Sequence, residues 1–201
     1  MIYKILSRLK KMVQPKRFDL KQFLIEKNVL IVGERCDISG MSIMLCDEID
    51  YNNKIFIGDD CCIRASIILY KSSSKITIGN NVYIGPGTIL ECVESITMAN
   101  NILISANCNI IDTNSHSLIA AERIDDTKDW QKGLRYKNWD VVKSSPVIIE
   151  DNCWLGLRSI VLKGVVLKEG TIVAAGAVVS KSYDSFSLLA GNPAQVIRKV
   201  S

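Results

Sequence analysis

The sequence is poor in aromatic residues, which make up 6% of its 201 residues, and it contains one histidine and four prolines. Few aromatics beside 48% hydrophobic residues predict a narrow, regular interior filled by Ile, Val, Leu and Cys. No apolar run approaches the roughly twenty residues of a membrane-spanning helix. The start lacks the long apolar core and the cleavage site of a secretory signal. We therefore expect one cytoplasmic domain.

The cysteines and the net charge argue against disulfide-rich, zinc-binding and nucleic-acid-binding proteins. The seven cysteines are scattered and form no CxxC pair, which argues against a disulfide framework and a zinc ribbon. We expect no metal site, and cysteines buried as small hydrophobes in a reducing compartment. The net charge of +4 is too mild to indicate a nucleic-acid partner. It suits an anionic ligand, such as a phosphate-bearing cofactor.

Two short helices are predicted before residue 30. Apolar residues from Ile2 to Leu9 have helical spacing, with basic residues between them, and Pro15 ends the pattern. This segment either packs on a neighbouring coil or subunit, or touches a membrane surface weakly. Its shortness favours packing. A second helix is expected in DLKQFLIEK.

A six-residue repeat dominates the rest of the chain. From Val147 it reads VIIEDN, CWLGLR, SIVLKG, VVLKEG, TIVAAG, AVVSKS, and shorter runs begin at Ile76 and Ile96. Two apolar residues flanking one outward residue indicate a very short strand, and the Gly, Asn, Asp or Lys that follows indicates a turn. The pattern predicts a solenoid of stacked parallel strands, with three hexads in each triangular coil. The predicted core residues are Ile55, Ile57, Cys61, Ile63, Ile76, Ile78, Val82, Ile84, Val147, Ile149, Cys153, Leu155, Thr171 and Val173.

The repeat is interrupted at SSSK (72–75), at CVES (92–95) and by a long charged insertion. An insertion on a solenoid projects as a loop, which either binds a ligand or packs on a neighbouring subunit. The predicted organisation is an N-terminal helical segment with a degenerate first coil (1–54), a β-helix (55–190) carrying the insertion at 112–145, and a C-terminal cap (191–201). In the cap, AQVIRKV is expected as a short helix or an extended tail.

The motifs CWLGLRSIVLKGVVLKEGTIVAAGAVVSKS and LAGNPAQVIRKV resemble those of the hexapeptide-repeat acyltransferases, and the resemblance covers about residues 55–198. It implies an all-β, left-handed parallel β-helix, a handedness that the periodicity does not give. It also implies a homotrimer with active sites between adjacent subunits. NIIDTNSHS followed by a loop is similar to the branch that acetylates sugar hydroxyls, which includes maltose and galactoside acetyltransferases and the O-acetyltransferases of capsules and O-antigens.

The resemblance implies catalytic roles for a few residues. His116, the only histidine, takes the position of the general base that removes a proton from a sugar hydroxyl as it attacks acetyl-CoA. Imidazole, with an ordinary pKa of about 6.5, suits this task. Asp112 is expected to orient the ring, with Asn114 and Asn109 as alternatives. The backbone N–H of Leu157 would stabilise the oxyanion.

Further residues are carried over as binding groups. Those expected to bind coenzyme A are small or phosphate-binding, namely Gly156, Leu157, Ala174, Ala175, Ser180, Lys181 and Arg198. Those expected near the acceptor are Trp154, Tyr83, Asn109, Asn114 and Trp139. The asparagine that binds sugar in galactoside acetyltransferases aligns near Gly87, so a polymeric or lipid-linked glycan is the better candidate acceptor.

Rival functions remain open at this point. A hexapeptide-repeat carbonic anhydrase needs three histidine ligands at each interface and is excluded by the single histidine. An N-acetyltransferase acting on an amino-sugar nucleotide and an antibiotic acetyltransferase are alternative enzymes. A β-helix scaffold is the non-enzyme alternative, but it gives no reason for the histidine loop.

Overall fold

The computed structural model describes residues 19–46 and 54–200. Its short strands, numbered along the chain, form three sheets that are the walls of a triangular prism. Sheet A contains β1 (Leu30–Val32), β3 (Ile55–Ile57), β6 (Lys75–Ile78), β9 (Ser95–Met98), β12 (Val147–Ile149) and β15 (Val166–Leu167). Sheet B contains β4 (Cys62–Ile63), β7 (Tyr83–Ile84), β10 (Leu103–Ile104), β13 (Trp154–Leu155), β16 (Ile172–Val173), β18 (Ser187–Gly191) and β19 (Ala194–Lys199). Sheet C contains β2 (Ser42–Leu45), β5 (Ser66–Leu69), β8 (Ile89–Cys92), β11 (Asn109–Ile111), β14 (Ile160–Val161) and β17 (Val178–Val179).

The core is the stack of inward hexad residues, and every core residue predicted from the repeat is buried. Neighbouring coils pair in parallel and in register, as in Ile55 opposite Ile76 and Ile104 opposite Leu155, so like side chains lie above one another. Burying each such side chain contributes about 1.5–3 kcal/mol. The repeat therefore fixes both the register and the interior of the prism.

The edge between sheets A and B explains the Asn and Asp that end many hexads. Asp60, Asn81, Asn101 and Asn152 all have positive φ, between 54° and 62°, which Asn and Asp tolerate better than most residues. Their side chains also join successive coils, since Asn81 donates to Asn101 at 2.9 Å and Asn101 to Asn152 at 3.3 Å. These polar ladders hold the corner in place.

Both ends of the described stack are covered. Helix α1 (Leu20–Glu26) begins at Asp19, whose carboxylate accepts from two backbone N–H groups, and its buried Leu24 packs on the core. This confirms the helix expected in DLKQFLIEK, whereas the helix predicted from Ile2 to Leu9 lies outside the described residues. At the other end β18 and β19 form an antiparallel hairpin. The extended alternative for AQVIRKV is thus confirmed, and the helical one is wrong.

All three interruptions of the repeat lie on the same edge of the prism, where sheet C passes to sheet A. The insertion is largely helical: α2 (Ala120–Lys132) is followed by a 3₁₀ helix (Leu134–Tyr136). Beneath it the coil continues without a shift, because Thr97 pairs with Ile148 across the insertion. Among the described residues no helix is both long and apolar enough to cross a membrane.

Candidate active site

The two ends of the insertion are joined, and this joint positions the histidine. Thr113 and Ser144 form an antiparallel bridge. The Asn114 N–H donates to Lys143 O at 2.9 Å, and the His116 N–H donates to Asn114 O at 2.7 Å. Ser115, between them, has a φ of 61°, which makes the turn tight. His116 is therefore held by a fixed backbone at the base of the insertion.

The imidazole of His116 is half exposed and is bound on one side only. Its Nδ1 lies 2.5 Å from Oδ2 of Asp126, a residue of α2 whose side chain is 8% exposed. A carboxylate acceptor at Nδ1 favours the tautomer with the proton on that nitrogen. Nε2 is then the ring nitrogen that carries the available lone pair.

Asp126 is shared with a buried lysine. The Nζ atom of Lys137 lies 2.5 Å from each carboxylate oxygen of Asp126 and 3.4 Å from Nδ1 of His116, and its side chain has no exposed surface. Burial alone would raise the pKa of Asp126, but hydrogen bonds from Lys137 and His116 outweigh it and hold this pKa below the ordinary value. Asp126 is therefore a carboxylate at neutral pH.

The ring partner differs from the one predicted. Asp112 is completely buried, and its two oxygens accept from the N–H groups of Val93 and Glu94 at 2.8 and 2.7 Å. Burial raises the pKa of Asp112. Because Asp112 follows directly after β11, its side chain turns toward the coil below and caps that corner. The expectation that Asp112 orients the imidazole is wrong, and Asp126 has this position.

The two asparagines do not orient the ring either. Asn114 contributes backbone bonds that build the turn. Asn109 lies on β11, where its Nδ2 donates to Glu91 at 3.3 Å and its Oδ1 is buried with no partner among the described residues. Tyr70 donates to the other oxygen of Glu91 at 2.9 Å. Asn109 thus belongs to a polar cluster on the outer face of sheet C.

The tryptophans of the insertion have different environments. Trp139 is 8% exposed and packs on the ring of Tyr70, with centroids 4.6 Å apart, so its main role is to fasten the insertion to the coil edge. Trp130 is the exposed tryptophan near the histidine, with its ring centroid 6.4 Å from that of His116. No motif in the sequence marks Trp130, Asp126 or Lys137 as site residues. The only sequence signal for them is that the insertion is rich in charged and aromatic residues.

The other predicted site residues lie around the edge between sheets B and C and near the top of the stack. Gly156 has a packing reason to be glycine, since a Cβ there would lie 2.6 Å from the Ala175 backbone nitrogen. The exposed Leu157 begins the turn that ends at Ser159, whose N–H donates to Gly156 O at 3.1 Å. Ala174 donates its N–H to Leu189 O at 2.8 Å.

The residues expected to bind the coenzyme A phosphates, and two of those expected near the sugar acceptor, are exposed. Ser180, Lys181 and Arg198 are open to solvent, with Lys181 Nζ 5.4 Å from the centroid of Tyr183. Trp154 and Tyr83 stand on either side of Leu103 in an outward row of sheet B. Within residues 19–46 and 54–200, no three His, Cys, Asp or Glu side chains are grouped as metal ligands.

Within one chain, His116 and the Leu157 turn lie on different edges of the prism. His116 lies on the edge between sheets C and A, whereas Gly156 and Leu157 lie on the edge between sheets B and C. The whole of sheet C stands between them. A single prism therefore does not bring the histidine next to the Leu157 turn.

Known proteins match part of this chain, and the family model among them matches the repeat. A family model described as the hexapeptide repeat of succinyl-transferase matches residues 146–181. A putative acetyltransferase of Schizosaccharomyces pombe is 35% identical over 108 residues, which are 54% of this chain and 45% of that protein. A putative acetyltransferase of Saccharomyces cerevisiae is 30% identical over 128 residues, which are 64% of this chain and 58% of that protein. The chain thus spans about half the length of the curated relatives it matches.

Solved structures share the architecture. A variant of AntD, an N-acyltransferase of Bacillus cereus bound to dTDP and coenzyme A, has a TM-score of 0.66 at 24% identity, covering 92% of this chain and 91% of that one. A hexapeptide-repeat acetyltransferase of Vibrio cholerae complexed with acetyl-CoA has a TM-score of 0.58 at 18% identity, covering 97% and 85%. The polySia-specific acetyltransferase NeuO has a TM-score of 0.56 at 20% identity, covering 85% and 87%.

The fold is a left-handed parallel β-helix, the architecture of these neighbours. The hexad pattern, the matched repeat and the curated relatives make the chain similar to the hexapeptide-repeat acetyltransferases.

Proposed function

We propose that this protein is an acetyl-CoA-dependent O-acetyltransferase that acetylates a sugar hydroxyl in a cell-surface polysaccharide or its precursor. The observation that carries the proposal is the half-exposed imidazole of His116, held through Nδ1 by the Asp126 carboxylate at 2.5 Å. The relatives named as acetyltransferases and the neighbours bound to coenzyme A or acetyl-CoA support the reaction class.

The geometry suits general-base catalysis of acetyl transfer. Nε2 of His116 accepts the hydroxyl proton while the hydroxyl oxygen attacks the thioester carbonyl carbon. The Leu157 N–H stabilises the oxyanion that develops. The C–S bond then breaks, and the leaving thiolate takes the proton from the imidazolium. Asp126 stabilises the transient positive charge of the ring, as a buried carboxylate does when it is hydrogen-bonded to a catalytic histidine.

The active site in this proposal is shared between subunits. His116 and the Leu157 turn lie on different edges of one prism, so a complete site needs the histidine edge of one copy against the Leu157 edge of another. A closed three-fold ring of identical subunits provides three such contacts. Coenzyme A would lie along this groove, between small residues at Gly156, Ala174 and Ala175 and cationic groups at Lys181 and Arg198.

The acceptor and the compartment are parts of the same proposal. The exposed Trp130, 6.4 Å from the imidazole, offers a face on which a sugar ring can pack. The seven cysteines form no disulfide among the residues that the structure describes, which fits a reducing compartment, and we assign the protein to the cytoplasm.

The test is acetyl-CoA turnover, read as thiol release, for the wild type and His116→Ala with glycans, amino sugars and antibiotics as acceptors. We expect turnover on a glycan and a loss of about 10²–10⁴-fold in the variant. Calorimetric binding of coenzyme A to the variant is the control, since the base does not hold the cofactor. Acceptor-dependent turnover that survives the substitution would exclude His116 as the base. Turnover on amines alone would favour an N-acetyltransferase, and no turnover with no binding would favour a scaffold.

A further inference from the structure

A fully buried lysine next to a catalytic histidine needs an explanation. Lysine is almost never fully buried unless it is paired, because removing an ammonium group from water is costly. The side chain of Lys137 has no exposed surface. Its Nζ lies 5.0 Å from the ring centroid of Trp139 and 5.8 Å from that of Trp130, so two aromatic faces cover the cation. Such an environment fixes the position of the ammonium group.

The ammonium group of Lys137 contacts both carboxylate oxygens of Asp126, the residue that binds His116. Lys137 Nζ lies 2.5 Å from Oδ1 and from Oδ2 of Asp126, and Oδ2 also receives Nδ1 of His116 at 2.5 Å. The same Nζ is 3.4 Å from Nδ1. Asp126 neutralises Lys137 and is held by it, while its Oδ2 remains an acceptor for the imidazole. The three side chains form one chain of contacts that ends at the exposed Nε2.

Other charged groups near the ring are occupied elsewhere. Glu122 of α2 accepts a hydrogen bond from Ser117, and Arg123 donates to Ser117 O at 2.9 Å. Asp125 is paired with Lys128 at 2.9 Å, and Asp129 with Lys132 at 3.0 Å, both on the surface of α2. From the segment after the 3₁₀ helix, Lys137 is the charged group in contact with the ring. Asp126 and Lys137 thus dominate the field at the imidazole.

We propose that Lys137 is a positioning residue for His116: its ammonium group neutralises the Asp126 carboxylate and fixes it as the acceptor for Nδ1–H, which leaves Nε2 directed away from this pair. This rests on the proposed function for its catalytic consequence, but not for the electrostatic coupling itself. Without Lys137 the ring would face an uncompensated buried carboxylate, which favours the imidazolium and removes the free base.

The test uses the single histidine of the chain, whose imidazole resonances need no assignment by mutation. The imidazole is titrated by NMR in the wild type, in Lys137→Met, which removes the charge at similar length, and in Lys137→Arg, which retains it. We expect the titration midpoint of Lys137→Met to move upward by about one pH unit or more. The Lys137→Arg midpoint should stay near that of the wild type. Equal midpoints in wild type and Lys137→Met would overturn the proposal.

The pH dependence of kcat/KM separates positioning from simple structural support. In Lys137→Met the acid limb should move upward with the imidazole midpoint, giving a loss that approaches roughly tenfold below both midpoints and largely disappears near pH 9. A merely structural lysine would lower the rate by the same factor at every pH. If the wild type transfers no acetyl group, the NMR comparison still decides the coupling, so the two proposals fail separately.

A second variant and a measurement without any variant cover a folding failure of Lys137→Met. Lys137→Gln is neutral but still donates a hydrogen bond to Asp126, and the same upward shift is expected. In the wild type, the Nζ resonance of Lys137 should follow the imidazole titration, because the two atoms are 3.4 Å apart. A Lys137 signal that ignores the protonation of His116 would contradict the proposal.

Discussion

At the scale of the residue, two aspartates of the insertion, Asp112 and Asp126, have opposite environments. Asp112 is enclosed in the stack and serves backbone N–H groups, whereas Asp126 is buried beside a cation and serves the imidazole. Burial dominates at Asp112 and raises its pKa, while the hydrogen bonds from Lys137 and His116 prevail at Asp126 and lower its pKa. Chemically identical side chains therefore have different tasks, one in stability and one in the site.

This difference predicts a pair of contrasting variants. Asp112→Ala leaves the buried N–H group of Val93 and the partly buried one of Glu94 without acceptors, so the free energy of unfolding should fall by about 2 kcal/mol. Acetyl transfer per folded molecule and the imidazole titration should be unchanged. Asp126→Asn should instead lower kcat by at least tenfold and alter the titration. Denaturant unfolding and kinetics on the same preparations measure both, and a change in the imidazole titration of Asp112→Ala would contradict the assignment.

The loss of unfolding free energy in Asp112→Ala should also depend on pH, and the direction of this dependence follows from the pKa of Asp112. Because its folded pKa is raised, the folded protein holds this proton more tightly than the unfolded chain does. The resulting stability is fully present below the ordinary value of 3.8 and is lost as the pH rises through the folded value. The difference in unfolding free energy between wild type and Asp112→Ala should therefore be larger near pH 4.5 than at pH 7.

At the scale of the element, each corner between sheets B and C repeats one turn. Gly85–Thr88 and Gly156–Ser159 are equivalent by register, since Ile84 and Leu155 both pair with Ile104. Pro86 thus occupies the position of Leu157, and both turns continue into a residue with positive φ, Gly87 at 74° and Arg158 at 57°. The corner accepts proline at this position without an N–H group.

That equivalence allows the proposed oxyanion donor, the Leu157 N–H group, to be removed without breaking the turn. Leu157→Pro deletes the N–H group, and we expect kcat to fall by about 10²–10³-fold. Leu157→Ala keeps the N–H group and is the matched control, with kcat close to that of the wild type. Thermal unfolding checks that both variants keep the fold. Equal kcat values in the two variants would rule out this N–H group as the donor.

The elements also show which parts of the molecule the sequence reveals. A hexad such as VIIEDN predicts Val147 and Ile149 as core because burial on a β-helix depends only on position within the repeat. The contact of His116 with Asp126 has no such rule. It depends on how α2 brings Asp126, ten residues further along the chain, back to the ring, whereas spacing alone points to Asp112. The repeat gives no rule for Trp139 either, because the sequence does not show that its ring packs on Tyr70.

At the scale of the whole molecule, the proposed division of the site between two edges predicts complementation between inactive variants. His116→Ala and Leu157→Pro damage different edges, so mixed oligomers contain some interfaces with both edges intact. For random mixing in a three-fold ring about a quarter of the sites should be restored. The measurement is turnover after the two variants are unfolded together and refolded, compared with each refolded alone. Activity that never exceeds the separate variants would place the whole site in one chain.

The unbroken pairing of Thr97 with Ile148 beneath the insertion has a consequence for how such proteins diversify. The chain leaves the prism after Ile111 and returns at Val147 in the register it would have had without the detour. An inserted segment that begins and ends on this edge can be lengthened, shortened or exchanged while the supporting coils stay the same. Under the proposed function, His116 lies at the fixed base of this insertion, so a change in the insertion alone can alter the acceptor while the rest of the acetyl-transfer scaffold stays the same.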